Sequence, residues 1–326
     1  MGKDRRFTNL DGTVPQSMGA VVKWGVTDRL TGKRRRTPRR APVKHQAVDL
    51  GLVATAPGAG EGARLTWLGH AGWLVQLDGV SLLVDPVLSR SLRGGVSRNV
   101  PAPVEVRHLP RIDAQLVSHN HYDHLDLPTL KAVGAPVVAG LGQRKTVAAA
   151  GLRCTELGWW QETRVGRVTI TFVPAQHWSR RGLLDANRTL WGGFVIEGPS
   201  ARIYHAGDTA AFEGFTEIGR RFPGLDAALL PIGAYDPAWF MQKQHLSPEQ
   251  AVQAFRDLGA RHFVAMHWGT FKLADEPLDE PPLRLGAEWQ RRSLPDAARH
   301  VLAVGETITV RPPRGPASAP AQRAAR

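Results

Sequence analysis

Three histidines and one aspartate fall within six consecutive residues, in the run His119-Asn120-His121-Tyr122-Asp123-His124. The run follows residues 113–118, an apolar segment that predicts a β-strand, so the polar side chains begin where a strand ends. Imidazole and carboxylate groups are ligands for Zn²⁺, Mn²⁺ or Fe²⁺ and differ from the thiolates of a cysteine-based structural zinc site. The alternative is a polar surface loop, but four such groups buried together without a cation would repel and desolvate one another. The run therefore predicts a metal site at the end of a strand.

Three further predicted strands each lead to a single group of the same kind. The segments 173–178, 203–209 and 264–269 contribute His177, Asp208 and His267. Each residue alone is weak evidence, because a lone histidine at a strand end is more often simply hydrogen-bonded. Together with the run at 119–124 they make seven candidate ligands, the number that suits two ions sharing one carboxylate. Such a set leaves positions open to water, which is typical of a catalytic site.

The positive charge of this chain lies mainly at its two ends. The 326 residues carry a formal net charge of +13, of which residues 1–60 hold +8 and residues 311–326 hold +4. Residues 61–310 are left with +1. We therefore predict a basic irregular segment at 1–60, a folded domain at 61–310 and a disordered tail at 311–326. The one cysteine excludes an intrachain disulfide and a cysteine-based zinc site.

The basic segment has two interpretations. Lys33-Arg34-Arg35-Arg36 and Arg39-Arg40 belong either to a solvated tail or to a surface that holds anionic lipid or another polyanion. A nucleic-acid protein would also explain the charge, but the nearly neutral domain and the lack of a recognisable nucleic-acid-binding motif argue against it. The sequence has no stretch of 18 apolar residues and no clear export signal. We therefore expect a cytoplasmic protein, or one bound peripherally at the inner face of the membrane.

Strands and helical segments alternate in both halves of residues 61–310. Residues 65–68, 73–77 and 80–84 predict three strands, and residues 225–230 and 262–266 predict buried strands. Ser247-Pro248-Glu249 predicts the start of a helix. This order of elements predicts an α/β (α+β) domain in which mixed β layers are covered by helices, with a site at the loop ends.

The candidate ligands lie in motifs that resemble those of the metallo-β-lactamase superfamily, whose H-x-H-x-D-H motif matches residues 119–124. The resemblance extends to the branch of N-acyl-phosphatidylethanolamine-hydrolysing phospholipase D enzymes. It spans residues 60–285 in order and includes Trp67-Leu68-Gly69-His70-Ala71, Val84-Asp85-Pro86, Gln176-His177-Trp178, Ala206-Gly207-Asp208-Thr209 and His267-Trp268-Gly269. The basic N-terminal segment matches only loosely, and the C-terminal tail does not match.

The resemblance implies a four-layer αββα sandwich with metal ions at the edge between its two β-sheets. It also implies that seven side chains hold two zinc ions, with His119, His121 and His177 on one ion, Asp123, His124 and His267 on the other, and Asp208 as the bridge. Mn²⁺ or Fe²⁺ would also suit these ligands. Two close cations lower the pKa of a water molecule and stabilise charge on phosphate oxygens, as a hydrolase requires.

Two residues are the candidates for catalysis. Asp123 is the first, as a ligand of the reacting ion, and His245 is the second, because the family pattern places a histidine at that position. His245 is expected to donate a proton or to contact the phosphate. The alternative for His245 is a structural role in the loop before the helix that begins at Ser247.

Five further residues are predicted to support the site. Asp85 is expected to orient a metal-binding histidine through its second ring nitrogen rather than to bind metal itself. His70 is expected to act in the same way, with capping of the turn at 69–72 as the alternative. A groove for an acyl chain is predicted from Tyr235, Trp239 and Phe240, with core packing as the alternative.

The implied activity is that of a dinuclear zinc phosphodiesterase of phospholipase D type, which hydrolyses N-acyl-phosphatidylethanolamine to N-acylethanolamine and phosphatidic acid. A related hydrolase that acts on another phosphodiester or on a lactone is the alternative, because nothing in the ligand set separates these substrates. The expected partners are a phospholipid substrate and an anionic membrane surface. Members of this branch can form homodimers, and no sequence feature decides the oligomeric state here.

Overall fold

The computed structural model describes residues 6–14, 16–182 and 184–311. The tail predicted at 311–326 lies outside the described residues except for Arg311. The domain boundary at residue 60 stays a prediction. In the described part of the N-terminal segment, α1 (Met18–Val22), a π-helical turn (Lys23–Thr27) and α2 (Asp28–Leu30) follow one another directly, and a loop separates them from α3 (Leu50–Val53).

Two seven-stranded mixed sheets form the centre of the domain. The first contains β1 (Ala63–Gly69), β2 (Gly72–Leu77), β3 (Val80–Val84), β4 (Ala114–Val117), β5 (Val137–Gly140), β6 (Cys154–Leu157) and the last strand of the chain, β14 (Thr307–Val310). Its spatial order is β14-β1-β2-β3-β4-β5-β6. The strands from β3 to β6 run parallel, whereas β14, β1, β2 and β3 pair antiparallel.

The second sheet is arranged in the same way. It contains β7 (Glu162–Val165), β8 (Val168–Val173), β9 (Gly193–Glu197), β10 (Arg202–His205), β11 (Ala227–Pro231), β12 (His262–Met266) and β13 (Arg299–His300). Its spatial order is β13-β12-β11-β10-β9-β8-β7. The strands from β10 to β13 run parallel, so their carboxyl ends meet at one edge of the sheet.

Helices lie against both sheets. These are α4 (Leu127–Val133), α5 (Arg144–Ala148), α6 (Gly214–Arg221), α7 (Ala238–Met241), α8 (Pro248–Leu258) and α9 (Glu280–Arg291), with 3₁₀ turns at Val106–His108 and Asp296–Ala298. Helix α8 begins as the sequence predicts, because Ser247 and Gln250 form a capping box and Pro248 occupies the first turn. None of the described helices is long and apolar enough to cross a lipid bilayer.

The period-two alternation of the strands divides their side chains between two layers of core. In β4, Leu116 belongs to the main core cluster that both sheets share, whereas Val117 packs with Leu130 and Val147 of the helices α4 and α5. In β12, the ring of Phe263 lies 5.6 Å from that of Trp289 in α9. Helices therefore cover the sheets from outside, and the predicted αββα sandwich is confirmed.

Candidate metal centre

The loop after β4 carries the clustered histidines, and Asp85 at the end of β3 fixes its start. Oδ1 of Asp85 accepts a hydrogen bond from the Ser118 amide at 2.8 Å, and Oδ2 accepts one from the Ser118 hydroxyl at 2.6 Å. The loop then turns back on itself, because the His124 amide donates to the His121 carbonyl at 3.1 Å. The parallel pairing of β3 with β4 thus brings the carboxylate of one strand end to the loop of the other.

The second sheet supplies the other candidate ligands. His177 follows β8, Asp208 follows β10 and His267 follows β12. The turn before Asp208 depends on Gly207, which has a φ of +61° and whose Cβ, if present, would lie 2.8 Å from both the Gly192 carbonyl oxygen and the Ser118 side chain. Glycine is needed there because the two sheets approach each other closely at the site.

Three imidazoles form one compact group. Nε2 of His119 lies 2.9 Å from Nδ1 of His121, and Nε2 of His177 lies 3.3 Å from the same atom. Nδ1 of His177 donates to the Gln244 carbonyl at 2.8 Å, which leaves the lone pair of its Nε2 facing the group. Three nitrogen ligands at this spacing suit one divalent cation.

Asp123, His124, His267 and His70 form a second group, whose ligand atoms all lie within 4.8 Å of one another. Oδ2 of Asp123 is 2.9 Å from Nε2 of His70, 3.6 Å from Nε2 of His124 and 3.7 Å from Nε2 of His267. The group mixes imidazole with carboxylate, which suits Zn²⁺ and the neighbouring first-row cations.

Asp208 lies between the two groups. Its Oδ1 is 3.0 Å from Nε2 of His267 and 3.3 Å from Nε2 of His124, and its Oδ2 is 3.9 Å from Nε2 of His177. One carboxylate therefore faces both groups, as a bridging ligand must.

Six buried atoms of the cluster have no hydrogen-bond partner among the described residues: Nδ1 of His70, Nε2 of His121 and His124, both ring nitrogens of His267, and Oδ1 of Asp208. A buried polar atom without a partner destabilises a fold, and bound cations would supply the missing interactions. The donor set therefore fits metal ions.

The charge states of the histidines also suit metal binding. Burial lowers the pKa of His121 to about 4 and holds the pKa of His119 and His177 well below the usual value, so all three are neutral at pH 7. Burial also acts to lower the pKa of His267, but the carboxylates of Asp208 and Asp123 outweigh it and raise that pKa to about 9. These carboxylates thus favour a positive charge beside them.

The structure brings the predicted supporting residues to the cluster. Oδ2 of Asp85 accepts from Nδ1 of His124 at 2.7 Å, which directs Nε2 of that ring toward the second group. His70 contacts Asp123, as described above. Nδ1 of His245 lies 3.7 Å from Oδ2 of Asp208, and burial lowers the pKa of His245 to about 4. The distribution of the seven ligands over two ions stays a prediction.

A cavity of about 510 Å³ opens onto the cluster and is lined there by His121, Asp123, Asp208 and His245. Of the three residues predicted to line a groove, Phe240 lies in its wall. Tyr235 and Trp239 are not among the lining residues. The Tyr235 hydroxyl donates to Glu280 at 2.8 Å, and the side chain of Trp239 is 40% exposed.

The N-terminal segment forms part of the cavity wall, which the sequence analysis did not predict. Gln16, Val21 and Trp24 line the cavity, and the Trp24 ring stacks on Phe240 with a centroid distance of 4.8 Å. Asn9 accepts a hydrogen bond from the His177 amide at 3.1 Å. No local pattern marks these residues, because their partners are remote in the chain, 168 positions away in the case of Asn9.

Comparisons with known proteins agree with this geometry. A family model described as the beta-lactamase superfamily domain matches residues 81–268. An uncharacterized protein of Mycobacterium tuberculosis is 37% identical over 303 residues, which cover 87% of this chain and 78% of that protein. The N-acyl-phosphatidylethanolamine-hydrolyzing phospholipase D 1 of Caenorhabditis elegans is 35% identical over 266 residues, which cover 74% of each chain.

A solved structure shares the fold. The isothiocyanate hydrolase from Delia radicum gut bacteria superposes with a TM-score of 0.63 at 21% identity, over 76% of this chain and 99% of that one. At this identity the likeness concerns the fold.

Proposed function

We propose that this chain, which belongs to the metallo-β-lactamase superfamily of metal-dependent hydrolases, hydrolyses an N-acylated phosphatidylethanolamine. It has homologues among the N-acyl-phosphatidylethanolamine-hydrolysing phospholipase D enzymes of that superfamily. The products are an N-acylethanolamine and phosphatidic acid, formed when water adds to phosphorus and the ethanolamine oxygen leaves with a proton. The proposed cofactors are two zinc ions, with Mn²⁺ or Fe²⁺ as alternatives.

The observation that carries the proposal is the composition of the cavity at the cluster. Its lining includes His121, Asp123 and Asp208 of the cluster and also apolar side chains such as those of Phe240 and Met241. A diacyl phosphodiester needs both surfaces, because its phosphate reacts at the metal ligands while its acyl chains require apolar contact. The cavity therefore suits an amphiphile better than a small polar ester.

Each side chain of the centre has a defined task in this proposal. His119, His121 and His177 would hold one ion, Asp123, His124 and His267 would hold the other, and Asp208 would contribute to both. Bound metal ions lower the pKa of water to supply hydroxide and neutralise the charge that develops on phosphate oxygens. His245, neutral at pH 7, donates its ring N–H to a phosphoryl oxygen or to the leaving oxygen.

A lipid product assay tests the proposal. Zinc-loaded protein mixed with vesicles that contain N-acyl-phosphatidylethanolamine should release N-acylethanolamine, measured by mass spectrometry. Asp123→Asn should reduce this release about 1,000-fold, because the variant loses the carboxylate of the second group. Asp296→Asn changes an aspartate whose side chain is 74% exposed and serves as the matched control.

The same preparation should be offered bis-nitrophenyl phosphate and a lactone. Turnover of either compound at full metal occupancy, with no N-acylethanolamine released, would refute the lipid assignment while leaving the metal-dependent hydrolase intact.

A further inference from the structure

A second and larger cavity, of about 1,100 Å³, lies beside the first and is strongly basic. Seven arginines and one lysine are among the residues that line it, together with a single carboxylate, that of Asp275. We call it the arginine cavity. Residues 29–40 of the N-terminal segment form one side, and the segments 94–98 and 272–275 form the other.

Carboxylates neutralise two of these arginines. Arg34 binds Asp275 through two nitrogens, with its Nε 2.9 Å from Oδ1, and Arg35 binds both carboxylate oxygens of Glu280 at 3.1 and 2.6 Å. The exposed side chains of Arg29, Arg36, Arg39 and Arg40 form no ion pair with any described residue. Four guanidinium groups around one cavity therefore lack a counter-charge.

The buried cations of the cavity also lack carboxylate partners. Arg98 is 6% exposed and donates to three backbone carbonyls, those of Val87 at 2.6 Å, Leu68 at 3.0 Å and Val100 at 3.2 Å. Lys272, which is partly buried, donates to the Thr37 hydroxyl at 2.7 Å and to a carbonyl. Arg98 and Lys272 are screened less by water than the exposed arginines, so they repel other positive charges of the cavity more strongly, and a bound anion would relieve that repulsion.

Arginine-rich sites are suited to phosphate. The planar guanidinium group donates two parallel hydrogen bonds that match phosphate oxygens, and several such groups favour a doubly charged phosphomonoester over a carboxylate. The ligand chemistry that this cavity fits is therefore a phosphate group.

The surface around the arginine cavity is apolar as well as basic, which points to a lipid. Val22, Val26 and Leu30 recur at every fourth residue of the N-terminal helical segment and are 52%, 52% and 82% exposed. Leu30 lines the arginine cavity, while Val96 and Leu273 line both cavities. An amphiphile bound here would extend along apolar surface toward the mouth of the cavity at the metal ligands.

We propose that the arginine cavity binds the phosphomonoester headgroup of an anionic phospholipid of the phosphatidic acid type, separate from the substrate that reacts at the metal centre. This binding would hold the enzyme on an anionic bilayer with the 510 Å³ cavity facing the membrane. This lipid-binding proposal rests on the proposed function in one respect, because both assume that the substrate is a membrane lipid.

The test uses full-length protein and two variants with the same loss of charge. Arg36→Gln/Arg39→Gln/Arg40→Gln removes three unpaired guanidinium groups of the arginine cavity. Arg153→Gln/Arg164→Gln/Arg167→Gln removes three exposed arginines elsewhere, at the β6–β8 side of the molecule. Binding is measured by flotation with phosphatidylcholine vesicles, with and without phosphatidic acid, and hydrolysis of bis-nitrophenyl phosphate reports the metal centre.

Wild-type protein and the control variant should bind phosphatidic acid vesicles, and the cavity variant should bind them about 100-fold more weakly, since each basic residue contributes about fivefold at an anionic surface. Hydrolysis of the soluble diester should be unchanged in both variants. Equal weakening in both variants would overturn the proposal, because it would show a response to net charge alone.

Two competitors identify the source of the phosphate. Inorganic phosphate at millimolar concentration that releases the protein from the vesicles would assign the cavity to a soluble anion and overturn the lipid proposal. The second competitor is a single-stranded oligonucleotide. If it binds wild-type protein more tightly than the vesicles do, and does not bind the cavity variant, the lipid proposal is overturned in favour of nucleic acid. N-acylethanolamine release in detergent micelles tests the proposed function separately, because it needs no anionic bilayer.

Discussion

Three histidines of the metal centre have Nδ1 held by a protein group, and this determines which nitrogen faces the cluster: His119, His124 and His177. Asp85 accepts from Nδ1 of His124, and the Gln244 carbonyl accepts from Nδ1 of His177. Because carboxylate and carbonyl oxygens can only accept, both rings are held in the tautomer with Nε2 free. The affinity for metal therefore depends on residues that do not bind it.

We expect Asp85→Asn to weaken metal binding about 10- to 100-fold. The amide keeps the size of the carboxylate, but it weakens the charge-assisted hydrogen bond to Nδ1 of His124 and can present an N–H in its place. The dissociation constant is measured by competition with a chromophoric chelator. Asp126→Asn is the matched control, because Asp126 is also a buried carboxylate but bonds the hydroxyls of Ser89 and Thr129. Equal losses in the two variants would contradict the orienting role.

The residues of the cluster could be predicted from the sequence as candidate ligands because the signal is local. Four of them lie within six residues, and His177, Asp208 and His267 each follow an apolar strand. The groups that hold them are harder to find. Asn9 contacts His177 across 168 positions, and the Gln244 carbonyl is a backbone atom that any residue would provide. Tyr235 shows the opposite error, since an aromatic residue near the motifs uses its hydroxyl on Glu280.

The helical segment from α1 to α2 is tied to the domain beside the metal centre. Trp24 stacks on Phe240, its Nε1 donates to Asp275 at 3.1 Å, and the Arg34 guanidinium lies 4.3 Å from its ring centroid. The segment thus adds an apolar wall to a cavity whose floor comes from the two sheets. Binding of the substrate's acyl chains should depend on this wall more than the chemical step does.

We expect Trp24→Ala to raise the KM for the N-acylated phospholipid about tenfold with a smaller change in kcat, since the loss of one large apolar side chain costs about 1.5–3 kcal/mol of contact. Steady-state kinetics on the lipid and on bis-nitrophenyl phosphate separate the two effects. Trp160→Ala is the matched control, because the Trp160 ring also lies under an arginine, Arg221 at 4.1 Å, but away from the cavity. Equal loss of activity on both substrates would contradict a role in lipid binding.

The elements that the sequence predicts are those with a strong apolar pattern. Strands β1 to β4, β11 and β12 are buried, and the runs that predict them lie within a few residues of their observed ends. Strand β7 was missed because Glu162–Val165 has alternating exposed and partly exposed residues at the edge of its sheet. The helices at 18–30 were missed because glycine and β-branched residues, which have low helix propensity, make up six of the thirteen residues, and tertiary contacts such as that of Trp24 stabilise the helices.

The two sheets depend on each other at the metal centre. The first sheet contributes His119, His121, Asp123 and His124, and the second contributes His177, Asp208 and His267. A bound ion that takes ligands from both sheets links elements distant in the sequence, so metal affinity becomes part of the folding free energy of the whole domain. We therefore expect chelation to lower the thermal stability of the entire chain in one transition.

The stabilisation by metal should grow as the pH rises from 6.5 toward 9. The pKa of His267 is raised to about 9, so in metal-free protein its imidazolium stabilises the fold fully below pH 6.5 and this contribution is lost as the pH rises through 9. Metal must displace that proton, and it binds more tightly as the proton leaves. Both effects widen the gap between loaded and metal-free protein.

The gap is measured as the difference in Tm between zinc-saturated and chelator-treated protein at several pH values in this window. The histidines with lowered pKa, such as His121, do not disturb the measurement. Their protonation differs between the folded and the unfolded protein mainly below about pH 6.5, outside the measured window. His262→Gln serves as the control, since His262 pairs with His300 at 3.0 Å at the opposite end of β12 from His267. The variant should keep the pH dependence of wild-type protein, whereas His267→Gln should reduce it. Burial acts to lower the pKa of His124, but the carboxylates of Asp208, Asp123 and Asp85 outweigh it and hold that pKa well above its usual value, so part of the dependence remains. A gap that narrows with rising pH in wild-type protein would show that the carboxylates of Asp208 and Asp123 do not hold a proton on His267.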